Sequence, residues 1–312
     1  SYLFVDFDEL EGRDLDRLTF RGLAHNDCCR AGNPPPSPGD PSFEIDTADL
    51  FFEQFTLRSH VLSFHATYGI TDRWDVNFLL PVVFTELELR ARALLNNESG
   101  TGTHFFDLPA GRTAEVRSVD DDKVGIGDLL LRTKYYLYDA QGFNLALGSS
   151  LRVPTGDEDD FQGIGDTTLT PFLALSQEYG PLDFHANGGI DVNFDDSDRS
   201  RVRYAAGITV QVIKQLALVM GVIGSSNLTT DRISVKVRQF VNAPGTSEAP
   251  PTTLPVFRTV SDNLSTDIVD FVIGFKVNPY GSVIIFFNAL MPLNNDGLRA
   301  DVIPAAGVEV SF

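Results

Sequence analysis

Leu182-Asp183-Phe184-His185-Ala186-Asn187-Gly188-Gly189-Ile190-Asp191-Val192-Asn193-Phe194 decides the fold. Read as a strand, it puts Leu182, Phe184, Ala186, Gly188, Ile190, Val192 and Phe194 on one face. Asp183, His185, Asn187, Gly189, Asp191 and Asn193 take the other, because successive side chains point to opposite sides. A soluble sheet can show this split once, but here it recurs. Trp74, Val76, Phe78, Leu80 and Val82 alternate with Asp75 and Asn77, and Leu129, Leu131, Tyr135 and Leu137 alternate with Asp128, Arg132, Lys134 and Tyr136. Phe143, Leu145, Leu147, Leu151 and Val153 interleave with Asn144, Ala146, Gly148, Ser150 and Arg152, and Val269, Phe271, Ile273, Phe275 and Val277 with Asp270, Val272, Gly274 and Lys276. The chain closes on Val308, Val310 and Phe312 between Gly307, Glu309 and Ser311. Such repetition implies an all-β, transmembrane antiparallel barrel with its outer wall in lipid and its inner wall in water.

Composition sets the limits. A formal charge of -19, from 43 acidic and 24 basic residues in 312, excludes a nucleic-acid partner, which needs a Lys/Arg surface for phosphate. No segment offers the roughly 20 consecutive apolar residues of a membrane helix, whereas a barrel strand needs only about 9 to 11. The rival fold is a soluble β-sandwich, whose outer face also alternates. Its polar face would carry lysines and glutamates at will. The polar faces here hold Gly148, Ser150, Gly189, Ala205, Gly207 and Ser311 beside mixed charges that can pair across a lumen. No charge falls at the middle of the outward sets, where Arg or Lys costs about 2 to 4 kcal/mol. Trp74, Tyr68, Tyr138, Tyr179 and Tyr280 gather at the short-turn ends, as membrane-interface aromatics do.

Compact reversals at 68–72, 138–142, 178–181, 213–215 and 278–281 alternate with longer connections near 21–50, 95–123, 153–163, 195–200, 243–264 and 293–299. This is the asymmetry of an outer-membrane barrel, with tight periplasmic turns, long external loops and both termini periplasmic. The expected strands are 13–20, 54–68, 73–92, 124–138, 143–153, 164–177, 182–194, 201–213, 216–240, 266–277, 282–291 and 301–312, one barrel domain over 1–312. Twelve is the simplest closed, even number. Fourteen stays open because Gly224-Ser225-Ser226-Asn227 interrupts 216–240. After Phe84 the phase shifts to Leu87, Leu89 and Ala91, through a bulge or the strand's emergence into water. Pro81 and Pro171 each remove a ladder hydrogen bond that the wall must absorb.

The residues expected to line the lumen are Asp128, Arg132, Lys134, Arg152, Asp166, Asp183, His185, Asp191, Arg203, Asp270, Lys276 and Glu309. No catalytic residue is assigned. The five histidines have no GxSxG partner, and Ser63 beside His65 is too weak a pattern for an outer-membrane lipid hydrolase. The acidic clusters at 120–122, 157–160 and 195–198 lack the spaced ligands of an EF-hand, so no metal site or cofactor is expected beyond weak calcium binding by external loops. Cys28 and Cys29 are adjacent and cannot frame a disulfide-built fold. From Ser1 onward no positively charged segment precedes an apolar core, so no export signal is visible, and an exported protein is expected to have had one that was removed or is not included. Gly125-Ile126-Gly127-Asp128 and Gly163-Ile164-Gly165-Asp166 lack the spacing of a phosphate loop and read instead as a repeated strand start, with the two aspartates at equivalent heights.

These two Gly-Ile-Gly-Asp copies, with 68–76 (Tyr-Gly-Ile-Thr-Asp-Arg-Trp-Asp-Val) and 151–157 (Leu-Arg-Val-Pro-Thr-Gly-Asp), resemble the meta-pathway phenol-degradation family of outer-membrane transporters over most of 53–312. Phe312 also looks like the usual barrel-insertion signal. The resemblance implies a porin-like barrel that passes small, often hydrophobic or aromatic compounds, with no catalytic residue to carry over. The expected function is therefore a passive outer-membrane channel or uptake pore in a Gram-negative bacterium. Its expected partners are outer-membrane lipids, lipopolysaccharide, the barrel-insertion machinery and a small solute. The rival function is a plugged barrel acting as a surface scaffold, adhesion or partner-binding module.

Overall fold

In a computed structural model, described over residues 1–24, 47–96, 106, 111–229, 231–243, 252–264 and 267–312, the alternating runs close into one ring. Its strands are β1 (Tyr2–Phe7), β2 (Thr47–Thr71), β3 (Trp74–Asn96), β4 (Leu129–Ala140), β5 (Phe143–Val153) and β6 (Thr168–Tyr179), then β7 (Leu182–Asn193), β8 (Arg201–Ile213), β9 (Leu216–Asn227), β10 (Ile268–Val277), β11 (Val283–Pro292) and β12 (Ile303–Val310). Each pairs antiparallel with the next, and β12 pairs with β1, so the twelve-stranded barrel has no free edge of the kind an open sheet exposes. Two further strands widen the wall at its upper end, Thr19–Ala24 on β2 and Ala114–Ile126 on β3. The short turns after β2, β4, β6, β8 and β10 all lie at the opposite end. Gln141 and Gly142 both take positive φ, 52° and 80°, as a two-residue turn that matches strand twist requires.

The outward face is apolar and open. Phe184, Ile190, Ile273 and Ile285 are each 44–46% exposed, and Phe271 is half-buried, so none is enclosed between stacked sheets. This arrangement excludes the sandwich. Tyr68, Trp74, Tyr138, Tyr179 and Tyr280 are exposed around the short-turn end, and Phe312 is exposed beyond β12. At the other end Phe194, Leu228 and Leu293 are exposed just past β7, β9 and β11. These two rims bracket the apolar band.

Inward positions are small where walls come close. A Cβ on Gly274 would meet the backbone oxygen of Phe287 and the side chain of Asn288 on β11. Gly274→Ala is therefore expected to destabilise the barrel by about 1–3 kcal/mol through overpacking, read as a lower urea midpoint in lipid vesicles. An unchanged midpoint would contradict that packing.

The structure corrects several expected boundaries. The first barrel strand is Tyr2–Phe7, not 13–20. Tyr2, Leu3, Phe4 and Val5 are apolar on both faces, which hides the period of two. Residues 13–20 instead hold a two-residue strand, a 3-10 turn (Leu15–Arg17) with Leu15 buried, and the start of Thr19–Ala24. The 216–240 run divides: β9 keeps Gly224-Ser225-Ser226-Asn227, while Asp231–Ala243 leaves the ring and pairs with Thr252–Leu264. The loops expected at 95–123 and 243–264 thus contain strand. Residues 25–46, 97–105, 107–110 and 244–251, with His25, Cys28, Cys29 and His104, lie outside the described residues.

The phase shift after Phe84 is no bulge in β3, since its register with β2 runs unbroken from Thr67↔Asn77 to Phe55↔Leu89. Glu86 stays on the side of Phe84 and meets Arg58 at 3.9 Å, as suits a strand leaving lipid for water. The irregularity sits across from it. Ala114–Ile126 and β4 form one interrupted strand, and at the Gly127-Asp128 break β3 changes partner, with Gly127 N donating to Pro81 O at 2.8 Å. Pro81, which has no N–H, falls at that junction and costs the ladder little. Pro171 is absorbed similarly: the β6–β7 ladder skips Thr170 and Pro171, and Thr170 Oγ1 donates to Asp191 instead at 2.6 Å.

Candidate lumen site

Register sorts the inward side chains by height. Asp183, Lys276 and Glu309 lie near the short turns; Lys134, His185 and Arg203 lie above them; and Arg132, Arg152 and Asp191 are higher again. Alternation places all of them on the face opposite the exposed apolar set. Asp128 and Asp166 are not on strands. Asp128 sits in the break before β4 and Asp166 in the loop before β6.

The upper carboxylates are buried and spent on partners. Asp128, Asp191 and Asp270 are 6%, 3% and 8% exposed. Asp128 accepts from Gly156 N at 3.1 Å and Ile164 N at 3.0 Å, and meets Arg152 at 3.7 Å. The second Gly-Ile-Gly-Asp copy therefore docks onto the aspartate of the first; the two are not equivalent strand starts, and they pin loop 154–167 to the inner rim. The carboxylate of Asp128, expected to line the lumen, is thus engaged by two loop amides and Arg152. Asp191 accepts from Arg203 as well as Thr170. Asp270 accepts from Arg299, which also donates to Val269 O at 3.1 Å. Arg299 belongs to a three-stranded cap of Glu9–Leu10, Arg13–Asp14 and Leu298–Arg299. Sequence reasoning missed Arg299 because nothing in loop 293–299 points to a strand partner almost thirty residues earlier.

Asp166 accepts from Asn193 at 2.8 Å and from Arg199 at 2.9 Å. The Asn193 hydrogen bond foremost, then the Arg199 guanidinium, holds its carboxyl below the ordinary 3.8. A depressed folded value means the pair stabilises the rim fully above the unfolded pKa, and that contribution is lost as pH falls through the lower folded one. Rim stability, read by protease nicking near 195–200, is thus expected to drop on acidification below about pH 4 in the parent and to stay flat there in Asp166→Asn. Identical profiles would contradict it.

Lower in the barrel the pairs are looser. Lys134 meets Asp75 at 3.5 Å, and His185 Nε2 lies 3.2 Å from Asp183 and 3.4 Å from Thr209. His65 Nε2 lies 3.2 Å from the Ser1 hydroxyl. A triad needs its nucleophile and its orienting group on opposite ring nitrogens. His185 presents one nitrogen to both neighbours, and no carboxylate hydrogen-bonds His65 among the described residues. Two hollows of about 200 Å³ each open on the inner wall. One is lined by Lys134, Tyr136, Asn144 and Ser176 and the other by Ala205, Gly207, Gly221 and Val272, with His185 and Asn187 shared between them. No cluster of metal ligands occurs among the described residues.

Over residues 36–241 the sequence matches the profile of the family described as "Putative MetA-pathway of phenol degradation". An outer membrane channel from Pseudomonas putida F1 shares the fold, with TM-score 0.52 and 13% identity over 99% of this chain and 92% of that one. A FadL homologue from Pseudomonas aeruginosa aligns with TM-score 0.41 and 10% identity, over 99% and 88%. No curated protein matches in sequence.

Proposed function

The chain belongs to this MetA-pathway phenol-degradation family, and from that we propose a passive channel that admits small hydrophobic or aromatic compounds through the outer membrane of a Gram-negative bacterium. The observation that carries the reading is the inner face of β4 to β10, where small residues replace the side chains that would otherwise fill a twelve-stranded interior. Ala205, Gly207 and Gly221 border one of the two hollows of about 200 Å³ on the inner wall, whereas the Phe172 ring packs over Gly148 and Asn288 over Gly274. The fold shared with a protein described as an outer membrane channel supports it. Short turns and both termini would face the periplasm, and the upper strands, the loop held by Asp128 and the Arg299 cap would face outward and narrow the mouth. Lipid and lipopolysaccharide would surround the apolar band, and the barrel-insertion machinery would assemble it. We assign it no catalytic step and no cofactor.

Purified, folded protein in a planar bilayer is expected to give discrete conductance steps. Silence across folded preparations would contradict the channel and favour a surface scaffold built on the external loops.

A further inference from the structure

The chain is strongly acidic, yet the middle of its inner wall is cationic. The inward acids there have partners: Asp75 has Lys134, Asp128 has loop amides and Arg152, and Asp191 has Thr170 and Arg203. Arg132 has neither a hydrogen bond nor an ion pair among the described residues. The charge that bears on it is another cation, Arg203, four strands round the wall, which also bears on Arg152. Guanidinium groups gathered without enough carboxylates make a ready partner for an anion, which they grip through paired N–H donors.

The two hollows give that anion a shape. Arg203 is two residues above Ala205 on the same face of β8, and Arg132 is two residues above Lys134 on β4, so an arginine stands in register two residues above a lining residue of each hollow. Ala205, Gly207 and Gly221 form an apolar floor walled by Val219, Ile223 and Val272. About 150 Å³ holds a benzene ring, so a hollow of about 200 Å³ seats one ring. We infer that the lumen holds a recognition site for a single-ring organic carboxylate, with its ring over Ala205, Gly207 and Gly221 and its carboxylate between Arg203 and Arg132. This rests on the channel reading for how the ligand arrives, but not for whether it binds.

The test is calorimetry on the full chain in detergent micelles, with benzoate and benzyl alcohol as probes of equal size and different charge. Benzoate is expected to bind at least about tenfold more tightly, as a charge-assisted hydrogen bond provides. Arg132→Gln should bring benzoate down to the level of benzyl alcohol. Arg132→Lys, which keeps the charge and loses the fork, should retain part of the preference, and Ala205→Leu should weaken both probes. Lys276→Gln, near the short turns, should change nothing. Equal affinities in the parent, no binding of either probe, or an undiminished preference in folded Arg132→Gln would overturn the inference. If Arg132→Gln does not fold, Arg132→Lys decides, and parental affinity there would overturn it. A silent bilayer with benzoate preference intact overturns the channel alone, and conductance without that preference overturns this site alone.

Discussion

Ile273→Arg is expected to cost about 2–4 kcal/mol, or to prevent insertion altogether, because residue 273 lies midway along β10 on the outward face, where an arginine would be held in hydrocarbon. Thr209→Arg is the comparison. Residue 209 faces inward on β8 opposite Asp183, and an arginine there meets water and a carboxylate, so its effect should stay within about 1 kcal/mol. Reversible urea unfolding in lipid vesicles measures both. Equal costs would mean that the two faces see the same solvent, and a greater cost for Thr209→Arg would mean that the faces are assigned backwards.

Asp270→Ala is expected to cost about 3–5 kcal/mol at the rim opposite the short turns, because it strands a buried guanidinium. Among the described residues Arg299 has only Asp270 and the Val269 carbonyl as acceptors, and its Nε lacks a partner there. Removing both charges together, as Asp270→Leu with Arg299→Met, should restore most of the loss, since the cost comes from the unpaired ion. The readout is the urea midpoint with protease susceptibility at 293–299. A double variant as unstable as the single one would show that the pair is worth more than its desolvation and would contradict this account.

The sequence revealed the fold best where one face is apolar and the other polar. β7 and β10 could be read almost residue for residue, because lipid and water sort side chains by the same period of two as the pleat. Where both faces are apolar, as in Tyr2–Phe7, that period disappears and the strand was missed. Where a strand outruns the membrane, as β3 does after Phe84, both faces become mixed and the change in pattern resembles a bulge. Alternation alone sorts the strand residues of the inward set, but not Asp128 and Asp166, which lie off the strands. What each inward charge does was not legible, because Asp128, Asp191 and Asp270 take partners from loops and neighbouring strands that no local pattern predicts. The two prolines were recognised as faults in the ladder, but their remedies, the Gly127-Asp128 break and the Thr170 to Asp191 hydrogen bond, needed the third dimension.

The measurement that tests the central claim most directly is thiol labelling in lipid vesicles. With Cys28 and Cys29 replaced by serine, Ala205→Cys and Leu218→Cys place one thiol on each face, and a small membrane-impermeant reagent reports which of them meets water. The account predicts modification at 205 and protection at 218. Modification at 218 with protection at 205 would contradict it.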